Sequence, residues 1–340
     1  MRRLRRVASP TPGNRIALLQ NGERYFPALE AAIDAAIREI YLESYIFEND
    51  DTGRRIAAAL RRAAQRGIAT HLLLDGFGSR TLAPEVVEGL RHAGVRVLFY
   101  RPELGRWRLR RHRLRRLHRK LAVVDGETAF IGGINIIDDR DTPGQIPPRF
   151  DYAVQVQGPL VAEIACAAKH LWGLVAWSQL KRRSLPKRET RETRETRNMS
   201  AHPPPSGETR AVFLIRDNLR HRHDIENAYL AAIGSAQQEI VIANAYFLPG
   251  MRFRHALMGA AQRGVRVVLL LQGRMEYVLL HYASRALYGS LLDAGVEIHE
   301  YHHSFLHAKV AVVDGRWATV GSSNIDPFSL WLGREANLVV

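Results

Sequence analysis

Leu117-His118-Arg119-Lys120-Leu121-Ala122-Val123-Val124-Asp125-Gly126 returns 189 residues later as Leu306-His307-Ala308-Lys309-Val310-Ala311-Val312-Val313-Asp314-Gly315. The likeness extends outward from these two stretches. Upstream, Gln65-Arg66-Gly67-Ile68 matches Gln262-Arg263-Gly264-Val265, and His92-Ala93-Gly94-Val95 matches Asp293-Ala294-Gly295-Val296. Downstream, Gly132-Gly133-Ile134-Asn135 matches Gly321-Ser322-Ser323-Asn324. Solenoid repeats span roughly 20–50 residues, so a period this long means two homologous halves in one chain.

Each half alternates short apolar runs with Ala-rich stretches of helical spacing. In the first half, residues 15–19, 39–46, 69–74, 95–100 and 121–124 read as strands, and Ile56, Leu60, Ala63 and Ala64 mark one face of a helix. Gly67 and Gly94 sit where a helix ends in a left-handed residue before the next strand. The pattern predicts an α/β fold, with two homologous α/β sandwich halves of mixed sheets covered by helices; if the halves meet about a pseudo-twofold, they share one active site. Residues 1–14 read as a basic arm, 15–180 as the first half and 210–340 as the second. Between them, 181–209 reads as a flexible linker, with Glu-Thr-Arg repeats followed by Pro203-Pro204-Pro205. In the first half the strand opened by Asp151 leads into a helix-spaced apolar stretch over 161–175. The second half stops at Val340, so the repeat predicts a C-terminally truncated second half.

With 340 residues, 46% of them hydrophobic, the chain can bury a core in each half and is no disordered polypeptide. Mean hydropathy is −0.20. No uninterrupted apolar run approaches the roughly 18 residues of a membrane span. Ser9, Pro10, Pro12 and Gly13 stand where an export signal needs its apolar region. Cys166 is the only cysteine, which excludes an internal disulfide and a Cys-rich metal site and fits a reducing, cytosolic location. The formal charge of +15 calls for an acidic partner: nucleic acid, an anionic membrane or a phosphorylated substrate.

That charge is uneven. Gly94 and His118 are 24 residues apart, whereas Gly295 and His307 are 12 apart. The extra length falls within residues 101–119, where nine arginines interleave with Trp and Leu. Arg106, Trp107, Arg108, Arg110, Arg111 and Arg113 read as a membrane-binding segment lying on an anionic bilayer. A solvated loop and a nucleic-acid contact are the alternatives.

Residues i and i+2 of a strand share a face, so His118 points with Lys120 and His307 with Lys309. If the halves meet about a twofold, two imidazoles and two ammoniums converge. Two Lys and the amides of Asn135 and Asn324 would then hold the non-bridging oxygens of a phosphodiester. One His can attack phosphorus while the other protonates the leaving alkoxide and deprotonates the incoming alcohol. Carboxylates on the rings could set the two protonation states. The scheme needs no metal.

The duplicated His-x-Lys-x4-Asp, with Gly-Gly or Gly-Ser and Asn following, resembles the phospholipase D superfamily over nearly the whole chain outside the linker. Tyr41-Leu42-Glu43-Ser44-Tyr45, Phe130-Ile131-Gly132-Gly133-Ile134-Asn135 and Asn244-Ala245-Tyr246-Phe247-Leu248-Pro249-Gly250 look like bacterial cardiolipin synthases. Lacking N-terminal apolar spans, the sequence is similar to their soluble B-type branch. The resemblance implies phosphatidyl transfer through a phosphohistidine, without a cofactor, from one phosphatidylglycerol to another, giving cardiolipin and glycerol. It implies His118 as nucleophile and His307 as general acid/base. Lys120, Lys309, Asn135 and Asn324 would bind phosphate, and Asp151 and Glu335 would orient the histidines. Asp125 and Asp314 complete the catalytic motif, although in this family they are mostly structural. Ser322 stands opposite Gly133, which would give the phosphate a hydroxyl donor from one side only. Glu43, Tyr45 and Tyr246 are candidates for the pocket mouth. The expected partners are anionic phospholipids (phosphatidylglycerol and cardiolipin) and the membrane surface, met peripherally at the cytoplasmic face of a bacterial cell; nucleic acid is not expected. The alternatives are a phospholipase D, phosphodiesterase or nuclease of the same superfamily, and a non-catalytic lipid- or nucleic-acid-binding protein. Two intact sets of residues argue against the last.

Overall fold

The computed structural model describes residues 9–102, 115–142, 144, 146–183, 203–275 and 278–340. The first half runs β1 (Thr11–Gln20), α1 (Asn21–Asp34), β2 (Glu39–Ser44), α2 (Asp51–Gln65), β3 (Ala69–Asp75), α3 (Pro84–His92) and β4 (Arg96–Tyr100). It continues through β5 (Lys120–Val124), β6 (Thr128–Gly132), β7 (Tyr152–Gln157) and α4 (Leu160–Arg183). The second half runs β8 (Thr209–Arg216), α5 (Asp224–Ser235), β9 (Glu239–Asn244), α6 (Met251–Gln262), β10 (Arg266–Gln272), α7 (Val278–Arg285) and α8 (Tyr288–Asp293). Then come β11 (Glu297–Tyr301), β12 (Lys309–Val313), β13 (Trp317–Gly321), α9 (Pro327–Trp331) and β14 (Glu335–Val339).

All these strands join one sheet in the order β11-β10-β9-β12-β13-β14-β8-β1-β7-β6-β5-β2-β3-β4. With β1 to β7 matched to β8 to β14, the order reads the same from either end. The twofold therefore lies between β1 and β8, which pair antiparallel with Thr11 opposite Ala211 and Asn14 opposite Thr209. Within each half one strand runs parallel to its outer neighbour while the motif strand pairs antiparallel on its other side (β2 with β3 and β5, β9 with β10 and β12).

Alternation along the strands divides the core. Ile40 and Leu42 of β2 face α1 and α2, where Leu29, Ile33, Ile56 and Leu60 are fully buried. On the opposite face Leu121 and Val123 pack beneath Val161, Ile164 and Ala168 of α4, together with Phe213 and Leu338 of the second half. One helix thus fastens both halves of the sheet. Asp50 caps α2 by accepting from the Gly53 amide at 2.7 Å. Gly67 and Gly94 take φ of +86° and +95°, and Gly264 and Gly295 repeat this at +88° and +91°, as their placement after helices requires.

The structure moves three expectations. First, β1 begins at Thr11, not at 15, because its opening residues pair with β8, a partner almost two hundred residues away that no local pattern reveals. Second, α4 runs to Arg183 and β8 starts at Thr209; residues 184–202 of the expected linker lie outside the described residues. Third, the 20-residue stretch from Leu160 to Gln179 is long and apolar enough to cross a membrane by length and composition, although no unbroken apolar run is present. Glu163, Lys169 and His170 break the apolar run, but they are few enough that the average stays high. Its inner face is occupied by the sheet, while Leu174 and Trp177 on the outer face are 44% and 56% exposed. The proposed membrane-binding residues Arg106, Trp107, Arg108, Arg110, Arg111 and Arg113 lie outside the described residues.

Candidate active site

The two motif strands start at Lys120 and Lys309, so each histidine stands just before its strand, and the backbone there reaches across the twofold. The His118 amide donates to the Arg334 carbonyl at 3.0 Å, and the Arg334 amide to Arg116 at 2.8 Å. In mirror image, the His307 amide donates to Phe150 and the Phe150 amide to Phe305, both at 2.8 Å. Each histidine is therefore held beside the segment that opens the other half's last strand. Asp151 and Glu335 lie in those segments.

Their side chains pair crosswise. His118 Nδ1 lies 3.0 Å from both carboxylate oxygens of Glu335. His307 Nδ1 lies 2.6 Å from Asp151 Oδ2. A carboxylate at Nδ1 holds the proton there and leaves the Nε2 lone pair of a neutral ring free. Asp151 is fixed in turn by Asn21, whose amide oxygen accepts from the Asp151 backbone at 3.0 Å. The Lys120 ammonium donates to the His118 carbonyl at 2.8 Å, and the Lys309 ammonium to the His307 carbonyl. The Tyr45 ring lies 4.9 Å from the His118 ring, with the Lys120 ammonium 5.3 Å over its face.

Burial dominates the electrostatics. It lowers His118 below the usual imidazole value against the opposing pull of Glu335. It holds His307 well below that value, helped by Lys309, Arg149, Lys120 and His118. It pushes Asp151 up to about 6 and Lys120 down to about 7, with Glu335 and Lys309 also acting on Lys120. Groups from both halves thus feel one another in a single low-dielectric site. Among the described residues no three His, Cys, Asp or Glu side chains are grouped as a metal ion would require.

Several expected roles change. Instead of facing an open phosphate position, the Ser322 hydroxyl donates to Glu335 Oε2 at 2.6 Å and accepts from the Ala336 amide at 3.0 Å. The serine therefore braces the carboxylate that orients His118. The matching Gly133 is required for space, since a Cβ there would lie 2.3 Å from Asp151 Oδ1. Asp125 and Asp314 sit just past the far ends of β5 and β12, about 16 Å of strand from Lys120 and Lys309 at ~3.3 Å per residue. Asp125 accepts from the amides of Ile37, Arg38 and Glu39, and Asp314 from those of Gln237, Gln238 and Glu239, all within 2.9 Å. Both staple the start of a neighbouring strand and stand outside the site. Glu43 is buried in a two-pronged pair with Arg119 at 2.8 and 2.7 Å, so it does not line the mouth. Tyr246 is half-buried on the loop after β9. Asn135 and Asn324 are both buried near the motif strands. The Asn135 carbonyl oxygen accepts from the Ile46 amide at 3.2 Å, which leaves its NH2 for another partner.

One participant carries no motif. A small cleft beside His307 is lined by Asn21, Asn135, Asp139, Arg149 and Asp151. Arg149 lies with its guanidinium 4.8 Å over the Phe305 ring. In the repeat its place is taken by Gly333.

The family model described as "Cardiolipin synthase, PLD-like domain" matches residues 29–143 and 229–340. The chain is 42% identical over 329 residues to cardiolipin synthase B of Escherichia coli, an alignment covering 96% of this chain and 76% of that protein. It is 30% identical over 327 residues to cardiolipin synthase 1 of Bacillus cereus, covering 94% of this chain and 61% of that one. The crystal structure of phosphatidylserine synthase from Haemophilus influenzae superposes with a TM-score of 0.71 at 14% identity, over 97% of this chain and 84% of that one.

Proposed function

The chain belongs to the phospholipase D-like cardiolipin synthase family, and from that premise we infer that it is a phosphatidyltransferase that joins two phosphatidylglycerols into cardiolipin and releases glycerol. The observation that carries the reading is the crossed arrangement of two imidazole–carboxylate pairs, one buried and one partly buried, with a lysine beside each. Such a site suits an in-line double displacement at phosphorus.

His118 Nε2 attacks the phosphorus of the first lipid and the P–O bond to the glycerol headgroup breaks. His307 gives its Nε2 proton to the departing alkoxide, so glycerol leaves neutral and a phosphatidyl-histidine remains. The primary hydroxyl of a second phosphatidylglycerol then loses its proton to His307 and attacks phosphorus, and the P–N bond to His118 breaks. Lys120, Lys309 and the amides of Asn135 and Asn324 hold the non-bridging oxygens, where the added charge of the transition state develops. The lowered proton affinity of partly buried His118 keeps it a nucleophile at neutral pH. A bound phosphodiester anion beside His307 offsets the surrounding cations and lets that ring carry its second proton. The assignment of nucleophile and acid between the two rings follows the family pattern.

The substrates are phospholipids, and the enzyme works at the inner face of the bacterial membrane as a peripheral protein. Exposed Leu174 and Trp177 near the end of α4 favour this placement. Gln179 of the same turn donates to the Phe99 carbonyl at 2.9 Å, so these residues lie beside β4, which leads directly into the arginine-rich segment. The test uses purified protein with phosphatidylglycerol vesicles and, separately, DNA, with products resolved by chromatography. Cardiolipin plus glycerol is expected. Phosphatidic acid alone would mean a phospholipase, and cleaved DNA a nuclease.

A further inference from the structure

The two steps of the proposed reaction differ in one chemical respect. Leaving group and incoming nucleophile both occupy the position opposite His118, on the His307 side, because displacement at phosphorus is in line. In the first step that position holds neutral glycerol. In the second it holds a glycerol that carries its own phosphodiester three carbons from the attacking oxygen. A site that prefers a lipid acceptor over water or free glycerol therefore needs a cation beyond His307 and none in the matching place beyond His118.

Arg149 meets that requirement. It lines the same small cleft as His307, Asn21 and Asn135, and lies close enough to depress the proton affinity of the His307 ring. Its position is built from both halves. The Arg149 amide donates to the Asp139 carbonyl at 2.7 Å, the next residue bridges to Phe305, and the guanidinium packs over the Phe305 ring at 4.8 Å. Its Nε is buried without a hydrogen-bond partner, a cost of about 1–3 kcal/mol for such a group unless something fills the place. The neighbouring carboxylate of Asp139 is turned to the Gly22 amide, which donates to it at 2.9 Å. In the repeat the residue equivalent to Arg149 is Gly333, beside Glu335 and His118. The twofold is broken where donor and acceptor sides must differ.

We propose that Arg149 is the anchor for the phosphodiester of the acceptor lipid, and so the residue that selects phosphatidylglycerol over water and small alcohols in the second step. This rests on the transferase reading above and specifies its acceptor site. Forked N–H donors suit a phosphodiester, and Arg retains its charge throughout the physiological range.

The test compares wild type, Arg149→Gln and Arg149→Lys, each full length and in phosphatidylglycerol vesicles. Three rates are read: formation of labelled phosphatidyl-histidine, exchange of labelled free glycerol into phosphatidylglycerol, and cardiolipin synthesis. In Arg149→Gln the first two should move together, by whatever the lost charge does to His307, while cardiolipin synthesis falls by roughly tenfold or more relative to them, with partial recovery in Arg149→Lys. Equal loss of all three would place Arg149 on the donor phosphate and overturn the proposal, as would unchanged cardiolipin synthesis. A wild-type chain that makes no cardiolipin would overturn the functional reading and the acceptor anchor with it. Normal wild-type synthesis with an unaffected Arg149→Gln overturns the anchor alone.

Discussion

Asp151 Oδ2 lies 2.6 Å from Nδ1 of His307, a residue 156 positions away and in the other half of the chain. Glu335 repeats the relation with His118 across 217 positions. Neither half contains both an imidazole and the carboxylate that orients it, so the repeat yields one site from two incomplete sets.

Crossing makes the two carboxylates separable. Glu335→Gln should impair the nucleophile and slow formation of the covalent intermediate whatever the leaving group. Asp151→Asn should impair proton transfer, slowing glycerol departure while sparing a substrate whose leaving group, such as p-nitrophenolate, needs no proton. General acid–base loss of this kind is worth roughly 10²–10⁴-fold. Burst kinetics on the two substrate types distinguish them; the same loss on both in both variants would contradict the assignment.

His118→Ala and His307→Ala should each remove nearly all turnover with phosphatidylglycerol, and the double variant should be little worse than either, since members of one machine are strongly non-additive. Mass spectrometry of trapped enzyme should find the phosphatidyl group on His118. Label on His307 would exchange the two roles and leave the chemistry intact.

The halves, their strands and the two His-x-Lys pairs were legible because they are local. Alternating apolar residues, glycine turn signals at Gly67 and Gly94, and the near-repetition of the motif all appear within short windows. The crossed pairing was not, because nothing in the spacing of Asp151 or Glu335 says which histidine each will meet. The contact of the Ser322 hydroxyl with Glu335 was hidden for the same reason, being set by the closeness of β13 and β14. Arg149 carries no motif at all. Only comparison with Gly333, its partner in the repeat, could have marked it.

The pH dependence follows from two displaced groups. As pH falls through about 6, Asp151 takes up a proton and ceases to support His307. As pH rises through about 7, Lys120 loses its charge in the free enzyme. A narrow bell in kcat/KM is expected, with the alkaline limb removed in Lys120→Arg, which stays charged. For stability the sign is opposite to that of a paired surface carboxylate. The folded value of Asp151 lies above its unfolded value, so the ionised form destabilises the fold, fully so above about pH 6. Asp151→Asn should therefore raise Tm at pH 8 and leave it nearly unchanged below pH 4. Thermal melts at both pH values check this.

Asp125→Asn and Asp314→Asn should lower Tm without changing the turnover of the folded enzyme, since each carboxylate holds three backbone amides at a strand start and neither reaches the site. Asp314 is held below the usual carboxylate range by those amides. Its stabilising effect should accordingly be lost as pH falls through that lowered value. A large loss of kcat at unchanged Tm would return these residues to the catalytic set.

Arginines near an anionic bilayer contribute about 1 kcal/mol each, screened by salt. Four of those between residues 106 and 113 would give about 4 kcal/mol, nearly a thousandfold in partitioning. Trp107, with Trp177 and Leu174 of α4, would add apolar insertion that salt does not weaken. Binding to phosphatidylglycerol vesicles should fall steeply with ionic strength, and binding to phosphatidylcholine should be weak throughout. Replacing Arg108, Arg110, Arg111 and Arg113 by Ser should lower activity on vesicles far more than on a short-chain monomeric substrate, because the histidines stay in place. Equal losses on both would put these arginines at the reacting phosphate instead, and no loss on either would leave them a solvated loop.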